Sequence, residues 1–457
     1  MDSYKQQKEQ FVSGHEGGSA LELALLLLVL PVSTLAHRVV ASTMRQSSFV
    51  VDFALLVMPM LLVFTLPQHM LLIYAALVAV TFAFAAYSQL VSQKPLFQSA
   101  YNERNVKKTD DNTTTSAAYL APLQQQRKPF LTYYRSGMML ATCICILAVD
   151  FPIFPRRFAK TESYGLSLMD IGVGCFVLSA ALTYREGKER NGLLRCIYRA
   201  LPLLILGFVR LAMVKGTDYQ EHVSEYGVHW NFFFTLALIS FLASMLSLPV
   251  SYSALFGFAL LTGYQFCLSN MGLREYILEH PRTNLFHQNK EGFCSSIGYL
   301  ALYFIGAQLG NFVLRSEGRG RKEWRSVFQR LLLLSLLFWV LALVAEHFIE
   351  PSSRRMVNAT YVFYTLALNL QTLWPLLCLD LVLVSAPSSP TNLFTAINRN
   401  QLFFFLLCNL LVGVVNFGMK TIFASDTTAL TVLTAYLLIA SLVASVLHVY
   451  NITIKFW

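Results

Sequence analysis

Charged side chains are scarce in this 457-residue chain, and their scarcity excludes most soluble folds. Asp, Glu, Lys and Arg make up 13% of the residues, whereas hydrophobic residues make up 55%. A soluble domain usually carries about 25% charged residues, so this chain cannot cover a globular surface with charge. Disorder is excluded as well, because disordered chains have low hydrophobicity. We therefore expect a polytopic membrane protein.

Paired cysteine motifs are also absent. The eight cysteines include no C-x-x-C pair, and all lie in or beside apolar segments. We interpret them as small core residues rather than as disulfides or metal ligands. The net charge of +10 would suggest nucleic-acid binding in a soluble protein, but in a membrane protein basic residues set orientation. The sequence thus predicts neither a metal site nor a nucleic-acid partner.

Long apolar segments are what the chain does contain. A membrane-spanning helix needs about 20 mostly apolar residues. We predict an all-α polytopic membrane protein of about 13 transmembrane helices, forming a single integral membrane domain over residues 1–457. The predicted spans are 20–37, 50–66, 70–90, 131–150, 165–184, 196–214, 229–248, 251–269, 291–314, 327–349, 358–385, 400–419 and 427–450.

The distribution of basic residues predicts the orientation. Of the 35 Lys and Arg residues, 20 fall on the face that carries the C-terminus and 12 on the face that carries the N-terminus. The positive-inside rule makes the first face cytosolic. The N-terminal segment 1–19 is then non-cytosolic, and the polar segment 91–130 is a mobile cytosolic loop.

The densest polar cluster is ILAVDFPIFPRRFAKTE, residues 146–162. Pro152 and Pro155 exclude a continuous helix, and the phenylalanines are too apolar for a solvated loop. We predict a re-entrant or interfacial segment near 151–160, folded against protein. The alternative is a basic hairpin that caps two helices at the interface. The candidate residues here are Asp150, Arg156, Arg157 and Lys160.

A second cluster, YQEHVSEYGVHWNFFF, precedes the seventh span. A histidine beside a carboxylate is suited to acid–base chemistry, although an aromatic belt with helix caps is the alternative. The candidates in this cluster are Glu221, His222, Glu225, His229 and Asn231.

Ionisable residues in or beside a span are functional candidates by default, because a charge facing lipid is costly. This argument adds Arg210, Lys290, Asp52, Asp170, Asp380 and the weaker pair Arg354 and Arg355. The main polar clusters fall on the N-terminal face, which predicts one cavity opening on the non-cytosolic side.

Several strings resemble a known family: FVSGHEGGSALE, ILAVDFPIFPRRFAKTESYGLSLMDIGVGCFV, YQEHVSEYGVHWNFF, NKEGFCSSIGY, SRRMVN and NRNQLFFFLLCNLLVGVVN. They are similar to signatures of the PIG-W family, the inositol acyltransferases of glycosylphosphatidylinositol (GPI) anchor synthesis, including fungal GPI-anchored wall transfer proteins. The strings extend from residue 11 to residue 416. The resemblance implies an endoplasmic reticulum enzyme with its motif-bearing loops in the lumen.

The implied reaction transfers a fatty acyl chain, typically palmitoyl, from acyl-CoA to the inositol 2-hydroxyl of glucosaminyl-phosphatidylinositol. The resemblance assigns the essential acid and lysine to Asp150 and Lys160. Acyl-CoA is the expected co-substrate, and we expect no bound cofactor and no obligate protein partner.

This chemistry requires a base for the attacking alcohol and a partner for the oxyanion. We expect Asp150 to be the base or proton relay and Lys160 its electrostatic partner, with the division of roles left open. Arg156, Arg157 and Arg210 are candidates for binding phosphate groups. The candidates for the remaining substrate contacts are Glu221, His222, His229, Asn231 and Lys290.

Three alternatives remain open at this point. Buried charges and proline-broken segments suit a secondary transporter, although no two-half repeat is visible. A histidine-type membrane-bound O-acyltransferase would use His229 with Asn231. A non-catalytic scaffold in a GPI-assembly complex is the third.

Overall fold

A computed structural model describes residues 4–44, 48–92, 128–184, 192–216, 223–314, 321–383 and 391–454. Most of the predicted loop 91–130 and the candidates Glu221 and His222 lie outside the described residues.

The first half of the chain forms a series of helices. They are α1 Tyr4–Val12, α2 Ala20–Leu27, α3 Val29–Met44, α4 Phe49–Asp52, α5 Met58–Thr65, α6 Met70–Ser92, α7 Pro129–Ala148, α8 Ile171–Leu182 and α9 Leu193–Gly216. A π-helical stretch, Phe53–Val57, joins α4 to α5.

The second half is also helical. Its helices are α10 Val223–Tyr226, α11 Phe232–Leu246, α12 Val250–Asn270, α13 Leu273–Glu279, α14 Leu285–Gln288, α15 Lys290–Leu314, α16 Arg321–Phe348, α17 Ala359–Val382, α18 Asn392–Arg399, α19 Gln401–Gly418 and α20 Asp426–Val449.

The all-α polytopic architecture is confirmed. Eight described helices are long and apolar enough to cross a membrane: Ala20–Met44, Pro67–Leu90, Pro129–Ala148, Lys290–Val313, Lys322–Phe348, Ala359–Val382, Gln401–Gly418 and Asp426–Val449. Shorter apolar helices occupy three further predicted spans, at Phe49–Thr65, Ile171–Leu182 and Phe232–Leu246. The remaining two predicted spans correspond to the long helices α9 and α12.

Polar side chains define where several of these helices begin. Asn358 accepts a hydrogen bond from the backbone N–H of Tyr361 at the start of α17, and Ser425 accepts one from Thr428 at the start of α20. Such caps satisfy N–H groups that a helix leaves unpaired at its N-terminus. Inside the bundle, α16 packs along α17, and α12 packs along α15.

The N-terminal segment crosses over the irregular segment between α7 and α8. The N–H of Gly18 donates to the carbonyl of Leu166 at 2.9 Å. Gly17 has φ +89°, and a Cβ atom there would lie 2.6 Å from the Leu166 carbonyl oxygen. A glycine is therefore needed where the two segments meet. This contact fixes the chain between α1 and α2 against the segment that precedes α8.

Candidate active site

The segment between α7 and α8 is irregular but buried. Helix α7 ends at Ala148, four residues before Pro152, and only a 3-10 turn at Arg156–Phe158 follows before α8. The side chains of Phe151, Phe154 and Phe158 are completely buried. The prediction of a segment folded against protein near 151–160 is thus confirmed. The predicted fifth span starts later than expected, at Ile171, because this segment continues to Asp170.

Arg156 holds this segment together. Its guanidinium donates to the carbonyl oxygens of Val149, Phe151 and Phe154 at 2.8–3.1 Å and stacks on the ring of Phe11 at 4.0 Å. Burial lowers the pKa of Arg156 to about 10, against the opposing charge of Asp150. The expectation that Arg156 binds phosphate is not supported, because its donors are occupied by backbone carbonyls.

Asp150 lies at the end of α7 and is 1% exposed. Its Oδ2 accepts a hydrogen bond from Asn416 Nδ2 at 2.7 Å. Its Oδ1 lies 3.2 Å from the ammonium of Lys8 and, within the described part of the chain, has no hydrogen-bond partner. The expected direct pairing of Asp150 with Lys160 is therefore wrong: Lys8, from the N-terminal helix, is the cation beside this carboxylate.

Lys160 belongs to a separate set of buried and partly buried charges, which we call the lysine cluster: Lys160, Glu225, Arg354 and Asp170. Lys160 Nζ lies 2.6 Å from Glu225 Oε2. Arg354 bridges the two acids, 2.9 Å from Glu225 and 2.8 Å from Asp170. Three segments distant in sequence thus meet through two acids and two bases.

The pKa directions within the lysine cluster follow from burial and charge. Burial lowers the pKa of Lys160, while Glu225 opposes the shift. Burial alone would raise the pKa of Glu225, but Lys160 and Arg354 outweigh it and hold that pKa at about 2. The pKa of Asp170 is raised by burial, which Arg354 partly offsets. Glu225 is therefore a fixed negative charge beside Lys160.

Asp150 and Glu225, the acids that lie beside Lys8 and Lys160, both line one cavity. It has a volume of about 290 Å³, and its lining includes Asp150, Lys160, Glu225 and Arg210. Most of the other lining side chains are apolar. Along α7 the lining runs from Tyr134 to Asp150, which corresponds to about 24 Å of helix at about 1.5 Å per residue. The cavity is a long apolar channel with a charged end.

Arg210 contributes the excess positive charge at this end. It lines the cavity from α9, and it acts on the pKa values of both Lys160 and Glu225. Within the described residues no carboxylate lies at ion-pair distance from it. A cation in this position is suited to a phosphate or to a developing oxyanion.

The remaining predicted residues have mainly structural contacts. Asn231 is committed to the start of α11: its Oδ1 accepts from Phe233 and Phe234, and its Nδ2 donates to the Gly207 carbonyl. His229 is not among the cavity-lining residues, and its backbone N–H donates to Asn289. Asn231 also lines the cavity, but its side-chain oxygen and nitrogen are both engaged in these backbone contacts.

Lys290 and Arg157 also lie in specific contacts. Lys290 is 1% exposed and donates to the carbonyls of Tyr276 and His280, so it stabilises a turn rather than facing substrate. Arg157 is half exposed and pairs with Glu22 at 2.8 Å.

Sequence reasoning missed Lys8 and Asn416 as partners of Asp150. Lys8 occupies a polar N-terminal segment, and Asn416 is 266 positions from Asp150 in the chain. Glu225 stood out in its cluster, but nothing in the spacing indicated that Lys160 is its partner. The string NRNQLFFFLLCNLLVGVVN, which contains Asn416, was the available signal.

Comparison with known proteins supports the sequence resemblance. The model of the GWT1 family matches residues 4–447. The Phosphatidylinositol-glycan biosynthesis class W protein of Dictyostelium discoideum is 38% identical, with 100% of both chains covered. The Glucosaminyl-phosphatidylinositol-acyltransferase PIGW of Bos taurus is 32% identical, also over 100% of both chains. GPI-anchored wall transfer protein 1 of Gibberella zeae is 36% identical over 99% of each.

Both the full-length matches and the family model include the segments that form the charged end of the cavity. The resemblance drawn from the separate motifs is therefore confirmed over the length of the protein: the chain belongs to the GWT1 family.

Proposed function

We propose that this protein transfers a fatty acyl chain, typically palmitoyl, from acyl-CoA to the 2-hydroxyl of inositol in glucosaminyl-phosphatidylinositol, as a step of GPI-anchor synthesis. The observation that carries the proposal is the channel whose charged end contains Asp150, Lys160 and Arg210. The name of the bovine relative supports the same reaction.

The dimensions of the channel suit an acyl chain. Its wall along α7 is about 24 Å long, comparable to an extended palmitoyl chain. Burying each methylene in such a wall stabilises the complex by about 0.8 kcal/mol. An acyl chain lying in the channel would place its thioester beside Asp150 and Lys160.

The charged end supplies the groups that acyl transfer needs. Asp150, which lines the cavity, takes the proton of the inositol hydroxyl. The hydroxyl oxygen forms a bond to the thioester carbon, and the negative charge moves to the carbonyl oxygen. When this intermediate collapses, the C–S bond breaks, and the CoA thiolate recovers the proton from Asp150.

Lys160 is suited to stabilise the intermediate. Its side chain is 30% exposed, and an ammonium has three N–H donors, of which Glu225 accepts one. A second donor directed into the cavity would stabilise the oxyanion. Arg210 would neutralise a phosphate of CoA or of the phosphoinositide.

The cellular setting is part of the proposal. We place the protein in the endoplasmic reticulum membrane with a lumenal N-terminus and a cytosolic C-terminus, because basic residues are more frequent on the C-terminal face. The channel covers most of the roughly 30 Å hydrocarbon core. With its thioester beside Asp150, the acyl chain would extend from the lumenal face toward the cytosolic face.

A reconstitution experiment tests the reaction. Membranes without endogenous activity would receive this protein, labelled glucosaminyl-phosphatidylinositol and palmitoyl-CoA. We expect an acyl-inositol product, whose blocked 2-hydroxyl makes it resistant to phosphatidylinositol-specific phospholipase C. Correctly inserted wild-type protein that forms no such product would exclude the proposed enzyme and favour a transporter or scaffold.

A further inference from the structure

The N-terminal helix contributes a buried lysine to the charged end of the cavity. Lys8 lies in α1, yet its side chain is only 9% exposed. Its ammonium donates to Asn416 Oδ1 at 2.6 Å and lies 3.2 Å from Asp150 Oδ1. Asn416 Nδ2 closes the arrangement by donating to Asp150 Oδ2 at 2.7 Å. Three residues from α1, α7 and α19 thus form a closed polar triad.

Burying the ammonium of Lys8 carries a desolvation cost. Removing an ammonium from water costs several kcal/mol, and pairing with a carboxylate offsets that cost only in favourable geometry. The neighbouring residues of α1 are largely polar, so the helix could lie in water with Lys8 turned outward. Instead α1 is held against the bundle, which buries the lysine beside the acid.

Further contacts fix the position of α1. The rings of Tyr4 and Phe423 lie 6.2 Å apart, the ring of Phe11 stacks on Arg156, and Val12 lines the cavity. The segment before the first span is therefore part of the site rather than a lumenal tail.

We propose that Lys8 and Asn416 are positioning residues for Asp150, an inference that rests on the proposed acyl transfer. Asp150 lines the cavity, whereas neither Lys8 nor Asn416 does. The two partners therefore act through the carboxylate. Asn416 fixes Oδ2, and the ammonium of Lys8 lies 3.2 Å from Oδ1, so the two partners together fix the orientation of the carboxylate at the cavity wall.

Lys8 and Lys160 have different roles in this proposal. Lys160 lines the cavity and is expected to contact the reacting atoms, whereas Lys8 lies behind the cavity wall. Loss of Lys8 should therefore reduce the rate of the chemical step and leave substrate binding intact. Loss of a residue that only stabilises the fold would instead lower the amount of folded protein without changing kcat per folded molecule.

Steady-state kinetics of purified variants test this role. Lys8→Met should lower kcat about 100-fold, the size of effect that follows from misplacing a catalytic group by about 1 Å, while KM for both substrates stays within about two-fold. Lys8→Arg keeps the charge and should restore part of the lost kcat. Asn416→Leu should lower kcat in the same way.

Lys420→Met is the matched control. Lys420 lies over the ring of Tyr4 in α1, 5.9 Å from its centroid, but makes no contact with Asp150. This variant removes a cation beside the same helix and should keep wild-type kcat. Thermal denaturation of each variant measures the folded fraction, and Asn416→Leu carries the test if Lys8→Met does not fold.

The outcomes separate the two proposals. Wild-type kcat in folded Lys8→Met or Asn416→Leu would overturn the positioning role, as would an increase in KM without a decrease in kcat. Absence of acyl-inositol formation by the wild-type protein would overturn the proposed function instead.

Discussion

Buried acids occur at both ends of the helical bundle, and Asp150 lines the cavity whereas Asp52 and Asp380 do not. At the end opposite the cavity's charged residues, Asp380 pairs with Arg38 and accepts from the backbone N–H of Phe130 at the start of α7. Asp52 bonds to His37 and accepts from the N–H of Leu393 at the start of α18. Both acids join helices: Asp380 pairs with an arginine and Asp52 with a histidine, and each also accepts from a helix N-terminus.

Asp150 differs from these two acids in its partners. Its contacts are side chains, from Lys8 and Asn416, and its Oδ1 lacks a hydrogen bond within the described residues while the residue lines the cavity. All three acids are buried and have polar partners, so burial and charge alone do not separate them. The side-chain partners of Asp150 and its place in the cavity wall set it apart.

The largest expected effect comes from removing the acid at the cavity. Asp150→Asn keeps the size and the contact with Asn416 but removes the base, so kcat should fall about 10²- to 10⁴-fold. Acyl-inositol formation per folded molecule measures this loss. Turnover near the wild-type value in Asp150→Asn would contradict the proposal that the acid at the cavity is the base.

Removing the acid at the opposite end should instead affect stability. Asp380→Ala leaves Arg38 buried without its partner, and breaking a buried pair typically costs about 3–5 kcal/mol. Thermal denaturation in detergent should show a markedly lower midpoint, while turnover per folded molecule stays close to wild type. An unchanged midpoint would contradict the structural role of Asp380.

The pH dependence of kcat tests the role of the lysine cluster. Burial, Arg354 and Arg210 lower the pKa of Lys160, whereas Glu225 raises it. If the ammonium stabilises the oxyanion, activity is lost as the pH rises through the pKa of Lys160. Glu225→Gln removes the opposing charge, so the alkaline limb of kcat should move to lower pH.

The control for this pH profile is Glu22→Gln, because Glu22 pairs with Arg157 outside the lysine cluster. Its alkaline limb should stay at the wild-type position. An alkaline limb that does not move in Glu225→Gln would contradict the electrostatic role of Lys160.

A smaller effect is expected from narrowing the channel. Ala141 lines the cavity nine residues before Asp150, about 14 Å along α7. Ala141→Phe should reduce kcat/KM for palmitoyl-CoA relative to shorter acyl donors by at least about 10-fold. Val414→Phe, on the exposed outer surface of α19, should leave this preference unchanged. An unaltered preference in Ala141→Phe would argue against an acyl chain in the channel.

The smallest effect should come from the exposed pair of Arg157 with Glu22. Arg157 is half exposed, so solvent screens the interaction, and Arg157→Ala should change the free energy of unfolding by less than about 1 kcal/mol. Denaturation of this variant beside Asp380→Ala compares an exposed pair with a buried one. A larger change in the free energy of unfolding for Arg157→Ala than for Asp380→Ala would contradict this expectation.

The sequence predicted the positions of the helices because long apolar segments and proline-broken strings are local features. A motif that resembles a family made Asp150 and Lys160 the candidate catalytic residues, and both line the cavity. The sequence could not distinguish Asp150 from Asp52 and Asp380, since all three are acids beside apolar segments. Their partners come from distant parts of the chain: Asn416 is 266 positions from Asp150, and Leu393 is 341 from Asp52. No periodicity in the sequence encodes such contacts.

The most direct test of the account is the ratio of turnover per folded molecule between Asp380→Asn and Asp150→Asn, measured in parallel with labelled glucosaminyl-phosphatidylinositol and palmitoyl-CoA. We expect a ratio of about 100 or more if Asp150 is the base and Asp380 is not. A ratio near one would contradict the account and would show that the acids at the two ends of the bundle have the same role.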